Sequence, residues 1–342
     1  MKKALLLVAV TLAILGCQSN FKYFDPEKPH HGKEGFLNNY DNTPPQGFWK
    51  WQWERRTAPG KPKEDFNPEI VQTDMSFLVK NTSLKTLTWI GHSSMLLQLG
   101  GKNILLDPIF SERASPLSFV GPKRQSALPF QIDQLPRIDI VVISHSHYDH
   151  LDLPTLKQVA RLHEVARFFV PLGLKSLLED AGIRNVQEFD WWENQQINNL
   201  TFTFVPAQHW SARGLFDRNQ TLWGGWHIET KPFRFLYAGD TGYSKDFLDI
   251  KERLGSVDFA AIPIGAYEPR WFMKRQHTNP YEAILIHKDL ESKQSMGVHW
   301  GTFKMADEDM WTPVKDLEAA RIELEISEKD FRVLKHGETI EL

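Results

Sequence analysis

The sequence predicts one α/β sandwich domain over residues 84–342, and three observations carry that prediction. Short apolar runs broken by glycine recur from Leu84 onward, as strands joined by tight turns do. Capped amphipathic segments stand between several of the later runs, so helices alternate with strands. Several of the apolar runs lead into histidine or aspartate. The densest is Ser144-His145-Ser146-His147-Tyr148-Asp149-His150, which follows Ile138–Ile143.

The 342 residues suffice for a large core, and a content of 41% hydrophobic and 24% charged residues suits a soluble globular chain. A formal charge of -3 gives no basic field, so no nucleic-acid partner is expected. Residues 1–16 read as a signal peptide. Lys2 and Lys3 form a positive start, and Ala4 to Leu15 form an apolar stretch too short to span a bilayer. The stretch ends in Ile14-Leu15-Gly16-Cys17, which resembles a bacterial lipobox with Leu15 where a smaller residue is usual. That likeness implies cleavage before Cys17 and a diacylglycerol anchor on its sulfur, the alternative being an ordinary signal peptide or an uncleaved anchor. An exported, lipid-anchored protein of a bacterial cell envelope is therefore expected, and Gln18 favours the outer membrane. Cys17 is the only cysteine, so neither an intramolecular disulfide nor a cysteine-based metal site is available.

Residues 17–83 form an extension rich in proline and aromatics, punctuated by Asp25-Pro26, Lys28-Pro29, Thr43-Pro44-Pro45 and Ala58-Pro59-Gly60. Within it, Phe48-Trp49-Lys50-Trp51-Gln52-Trp53 alternates as a short strand does. Its indoles are expected to pack on the main domain, with a membrane interface as the alternative. Strands follow at Thr86–Ile90, Ser94–Leu99 and Asn103–Leu106, then at Thr201–Pro206, Phe233–Ala238 and Ser295–Val298. Helices are marked by Asp152 with Pro154, by Lys175–Asp180 before Gly182, and by Ser244 ahead of Phe247, Leu248 and Ile250. Asn279-Pro280-Tyr281-Glu282 is a capping box, and Thr312-Pro313 opens the last helix.

The cluster at 145–150 offers imidazoles and a carboxylate, the donor set of zinc and related metals. A dinuclear site needs more donors, best supplied from rigid strand ends. The runs above lead to His209, Asp240 and His299. Taken singly, a histidine after a strand is more often structural, and Gly-Asp is a common turn. Their order along the chain resembles that of the metallo-β-lactamase superfamily, whose fold is an αββα sandwich. The family pattern implies one ion held by His145, His147 and His209, a second by Asp149, His150 and His299, and Asp240 bridging them.

Closer motifs narrow the likeness. Asp107-Pro108-Ile109-Phe110-Ser111, Gly121-Pro122-Lys123-Arg124, Asp190-Trp191-Trp192-Glu193 and Gln208-His209-Trp210 resemble the N-acylphosphatidylethanolamine-hydrolysing phospholipase D family. So do Ala238–Tyr243, His299–Phe303 and the unbroken run Ala261–Met273. The resemblance covers roughly residues 84–340 and implies two zinc ions, or other divalent first-row metals, in a phosphodiesterase. A metal-bound hydroxide would attack N-acylphosphatidylethanolamine to give phosphatidic acid and an N-acylethanolamine. It also implies that Asp107 orients ligand imidazoles, that His277 is catalytic or binds phosphate, that Tyr148 touches substrate, and that the protein is a homodimer. Asp149 and Asp240 act as catalytic carboxylates in that scheme. His92, His163, His227, His287 and His336 are read as structural. Trp271-Phe272-Met273, flanked by Arg270, Lys274 and Arg275, is an apolar and basic loop that would meet a phospholipid surface or else pack. The competing readings are a hydrolase of this fold acting on a lactone, a β-lactam or another phosphodiester, and a lipoprotein with a vestigial site.

Overall fold

Successive residues of each inner strand enter two different apolar layers, because side chains alternate across a sheet. Met95, Leu97, Ile104, Leu106, Ile140 and Val142 belong to one buried cluster; their neighbours Leu96, Leu105 and Val141 belong to another. Strands that are apolar on both faces need cover on both. A computed structural model, described over residues 21–43, 46–57 and 66–342, supplies it: two seven-stranded sheets face each other, with helices packed outside them. The predicted αββα sandwich is thus the observed fold.

The first sheet holds β1 (Thr86–Gly91), β2 (Ser94–Leu99), β3 (Lys102–Leu106), β4 (Ile140–Val142), β5 (Arg167–Pro171), β6 (Val186–Phe189) and β14 (Thr339–Glu341). The second holds β7 (Asn194–Ile197), β8 (Leu200–Val205), β9 (Gly225–Thr230), β10 (Phe233–Tyr237), β11 (Phe259–Pro263), β12 (Gln294–Val298) and β13 (Phe331–Arg332). Their orders are β14-β1-β2-β3-β4-β5-β6 and β13-β12-β11-β10-β9-β8-β7. The helices are α1 (Phe48–Thr57), α2 (Met75–Lys80), α3 (Leu153–Leu162), α4 (Lys175–Asp180), α5 (Asp246–Leu254), α6 (Arg270–Met273), α7 (Pro280–Asp289) and α8 (Thr312–Glu323).

Pairing is parallel from β3 through β6 and from β10 through β13. Helical crossovers join those strands, so their C-terminal ends open on a shared rim, where α/β sheets place their sites. Asn279 caps α7 as expected, accepting from Glu282 N–H at 2.9 Å while Glu282 returns a bond to Asn279 N–H. Asp152 heads α3 without bonding the helix backbone; its carboxylate takes the Ser111 N–H and hydroxyl instead.

Two expectations are corrected. Phe48–Trp53 is not a strand but the start of α1: six alternating residues fit a helix as well, and Glu54-Arg55-Arg56 continue it with good helix formers. Only Trp51 is buried, stacked 5.0 Å from Phe272 and donating from Nε1 to Asp307. Trp49 and Trp53 are 81% and 70% exposed, so the three indoles do not share a face. Trp271–Met273 is likewise not an apolar loop. It lies in α6, with Phe272 and Met273 buried and Trp271 half exposed. The signal-peptide stretch and Cys17 lie outside the described residues.

Candidate metal centre

The metal-competent side chains converge where strands end. β4 runs out into His145–His150, β8 into His209, β10 into Asp240, and β12 into His299, while β3 ends at Asp107. His92, Asp107 and His299 take left-handed φ values of 53°, 36° and 62°, unusual for residues with side chains and typical of sites held by their surroundings. Close approach beneath the rim requires glycine. A Cβ on Gly265 would stand 2.1 Å from His299 O, and one on Gly239 would stand 2.4 Å from Gly224 O.

Two donor triads form around one carboxylate. His147 Nδ1 lies 2.8 Å from His145 Nε2 and 3.3 Å from His209 Nε2. His150 Nε2 and His299 Nε2 lie 3.3 and 3.2 Å from Asp149 Oδ2. Asp240 Oδ2 stands between the triads, 3.2 Å from His150, 3.1 Å from His299, 3.8 Å from His209 and 3.9 Å from His145. Tetrahedral zinc with bonds near 2.0–2.1 Å has ligand–ligand edges of about 3.3 Å, so these spacings match a donor shell around a cation. Buried polar atoms without a hydrogen-bond partner point the same way: His150 Nε2 and Asp240 Oδ1 are among them. The residues present therefore fit a His/Asp metal centre.

Neighbouring groups fix which nitrogen of each ring faces inward. Asp107 Oδ2 lies 2.7 Å from His150 Nδ1, and the same oxygen accepts from the Tyr237 hydroxyl at 2.6 Å and from the Ser144 hydroxyl. Ser144 Oγ in turn touches His145 Nδ1 at 2.9 Å. His209 Nδ1 donates to Gln276 O at 2.9 Å, which leaves Nε2 free. Such partners orient ligand imidazoles and raise their basicity. Burial holds His145 well below the ordinary imidazole value and lowers His147 and His209 to about 4 and about 3. Those rings are neutral, as ligation requires. For His299 burial also opposes charge, but Asp240 and Asp149 outweigh it and raise it to about 9.

The structure thus brings together every predicted ligand, with Asp107 behind them. His277 enters from the loop before α7; its Nδ1 is 4.0 Å from Asp240 Oδ2, buried and without a hydrogen-bond partner. Tyr148 lies at the rim, its hydroxyl on Arg213 O at 2.9 Å and its ring 3.9 Å from the Arg213 guanidinium. Beside the cage opens a cleft of about 570 Å³ lined by Phe48, Trp51, Trp210, Phe272, Met273 and Met305.

His92 was missed. It is fully buried, its Nε2 lies 2.9 Å from Asp149 Oδ2, and its ring packs 4.1 Å from that of His299. The signal was present: β1 ends in Gly91-His92, the same strand-to-histidine pattern as the others.

A family model described as "Beta-lactamase superfamily domain" matches residues 102–300. The chain is 44% identical over 239 residues to N-acyl-phosphatidylethanolamine-hydrolyzing phospholipase D 1 of Caenorhabditis elegans, covering 67% of each chain. It is 41% identical to a mitochondrial enzyme of that name from Saccharomyces cerevisiae, covering 68% of this chain and 50% of the yeast protein. Among solved structures, Igni18, a metallo hydrolase of Ignicoccus hospitalis, superposes with a TM-score of 0.56 at 24% identity, covering 76% of this chain and 99% of that one. Likeness at that identity is one of fold. These relatives overturn the expected bacterial, lipid-anchored location: the enzymes named for the activity come from a worm and a yeast, the latter mitochondrial, and are not bacterial lipoproteins. The lipobox resemblance rested on a few residues, whereas the match to these relatives spans the folded domain. Among the described residues no helix is long and apolar enough to cross a membrane.

Proposed function

The chain belongs to the metallo-β-lactamase superfamily, within the N-acylphosphatidylethanolamine-hydrolysing phospholipase D family, and from that premise we propose which reaction its metal-dependent hydrolase site performs. The substrate is N-acylphosphatidylethanolamine, and the products are phosphatidic acid and an N-acylethanolamine. The observation that carries this reading is the juxtaposition of a buried His/Asp cage that could hold metal with an apolar cleft of about 570 Å³. Together they suit a phosphodiester that carries acyl chains.

Two zinc ions, or other divalent first-row metals, would supply an activated water and polarise the phosphoryl oxygens when bound. The chain's own groups do the rest. His145, His147 and His209 would hold one cation and Asp149, His150 and His299 the other, with Asp240 between the two triads. Asp107 keeps the proton of His150 on Nδ1. Burial holds His277 well below the ordinary imidazole value, so it is neutral and serves as a hydrogen-bond donor to a phosphoryl oxygen rather than as a proton source. Trp210 and Phe272 flank the acyl-bearing part of the substrate, with Tyr148 at the entrance.

Exposed indoles at Trp49 and Trp271, beside Lys50, support contact of α1 and α6 with the lipid surface. Vesicle sedimentation of Trp49→Ala and Trp271→Ala reads this contact, and unchanged binding rejects it.

The test of the reaction is mass spectrometry of lipids after incubation with mixed phospholipids, run beside nitrocefin and a lactone. Phosphatidic acid and N-acylethanolamine should accumulate only in the metal-loaded protein. Turnover of the lactone or nitrocefin without lipid cleavage would reject the proposal.

A further inference from the structure

His209 lies beyond the end of β8, where no ladder partner remains for its peptide. The preceding residue still bridges to Gly242, but the N–H and C=O of His209 meet a side chain from far earlier in the sequence. Asn38 Oδ1 accepts from His209 N–H at 3.0 Å, and Asn38 Nδ2 donates to His209 O at 3.1 Å. One carboxamide thereby does the work of a neighbouring strand, since it carries a donor and an acceptor on one plane. The Trp223 indole N–H reaches the same Asn38 oxygen at 3.0 Å and braces it.

Asn38 is itself held. Its N–H donates to Asn42 Oδ1 at 2.6 Å, and its Nδ2 also reaches Asp41 O. The segment 21–43 around it is tied down along its length. Phe36 is completely buried in the central core and exchanges bonds with Asn219. Lys28, His30 and His31 converge on the buried Asp190 carboxylate at 2.6, 2.6 and 3.0 Å. Past Asn38, Asn39 and Tyr40 bond Asp246 and Asp249 of α5.

We propose that Asn38 is a positioning residue for the ligand His209, and that the segment 21–43 is a strap completing the metal centre. The inference rests on the metal-centre reading above. Backbone held by Asn38 and ring held by Gln276 O leave His209 Nε2 one direction, toward His147 Nδ1 and Asp240. Without Asn38 the peptide loses both partners, and the ring swings with it.

The full chain is stripped of metal and titrated with zinc against a chromophoric chelator, as wild type, Asn38→Ala and Tyr40→Phe. In Asn38→Ala one of the two zinc affinities should fall about 10–100-fold, as expected for loss of a partner behind a ligand, and the other should hold. Tyr40→Phe removes one anchor among several, leaves Asn38 and both its bonds to His209 in place, and should keep both affinities. Wild-type affinities in Asn38→Ala, or an equal loss in Tyr40→Phe, overturn the proposal. If Asn38→Ala does not fold, the isosteric Asn38→Asp, which keeps the bond from His209 N–H but loses the one to His209 O, carries the test through cobalt(II) absorption. Altered ligand-field bands for one ion support positioning, and an unchanged spectrum overturns it. A wild type that takes up no metal would instead overturn the reading of the site.

Discussion

Asp107 Oδ2 lies 2.7 Å from His150 Nδ1, and both residues are completely buried. The same carboxylate accepts from Ser144 N–H at 2.7 Å and from the Tyr237 hydroxyl at 2.6 Å, so β3, β4 and β10 are pinned at one point. Removing it strands buried donors and frees the His150 ring. Asp107→Ala should weaken zinc binding by about 10–100-fold, read by chelator competition on folded protein. Affinity equal to wild type would show that the pair has no bearing on the metals.

His277 separates hydrogen bonding from proton donation. As a neutral donor to a phosphoryl oxygen its removal should cost about 10²–10³ in kcat, with both zinc equivalents retained. The loss should be the same for a lipid substrate and for an aryl phosphodiester, whose leaving group needs no proton. A much smaller loss on the aryl substrate would make His277 the acid instead.

The strand ends were legible because apolar runs, glycine and metal-competent residues coincide there. Position marked His209, Asp240 and His299 as candidates, but only their order, through its family resemblance, gave them roles, and Asp107 took its role from that resemblance alone. Asn38 could not be picked out, since nothing local distinguishes it from the other asparagines of the extension; its role exists only through the contact with His209. The helix at 48–57 escaped for a different reason. Its register is set by Trp51 docking on Phe272, a contact made across the chain that outweighs a six-residue alternation. The role of His92 was legible in principle, but a histidine after one strand acquires meaning only when the others are seen to meet it.

The anchoring of the strap predicts an acid limit. Burial pushes the Asp190 carboxyl up, but hydrogen bonds from His30 and Lys28 outweigh it and hold it below the ordinary 3.8. A depressed folded value means the stabilisation is present above 3.8 and is lost as pH falls below it. Asp190→Asn should therefore be less stable than wild type by about 1–3 kcal/mol at pH 7. In urea melts the gap should narrow below pH 4. A gap that stays constant down to pH 3 would contradict the assignment.

Metal removal reveals the opposite sign at His299. In the metal-free chain Asp240 and Asp149 raise it to about 9 from an ordinary 6.5, against the effect of burial. A raised value stabilises fully below 6.5, and that contribution disappears as pH climbs through 9. The metal-free protein should thus lose stability between pH 6.5 and 9. An incoming cation must displace the same proton, so zinc affinity should rise over this window by about tenfold per pH unit for each proton released. His150 is also held above its ordinary value, burial notwithstanding, by Asp240 and Asp149, which makes the slope steeper rather than shallower. Chelator competition at several pH values, with proton release followed by a dye in weakly buffered solution, measures both quantities. An affinity that is flat from pH 7 to 9, with no protons released, would show that the cage is already deprotonated before metal arrives.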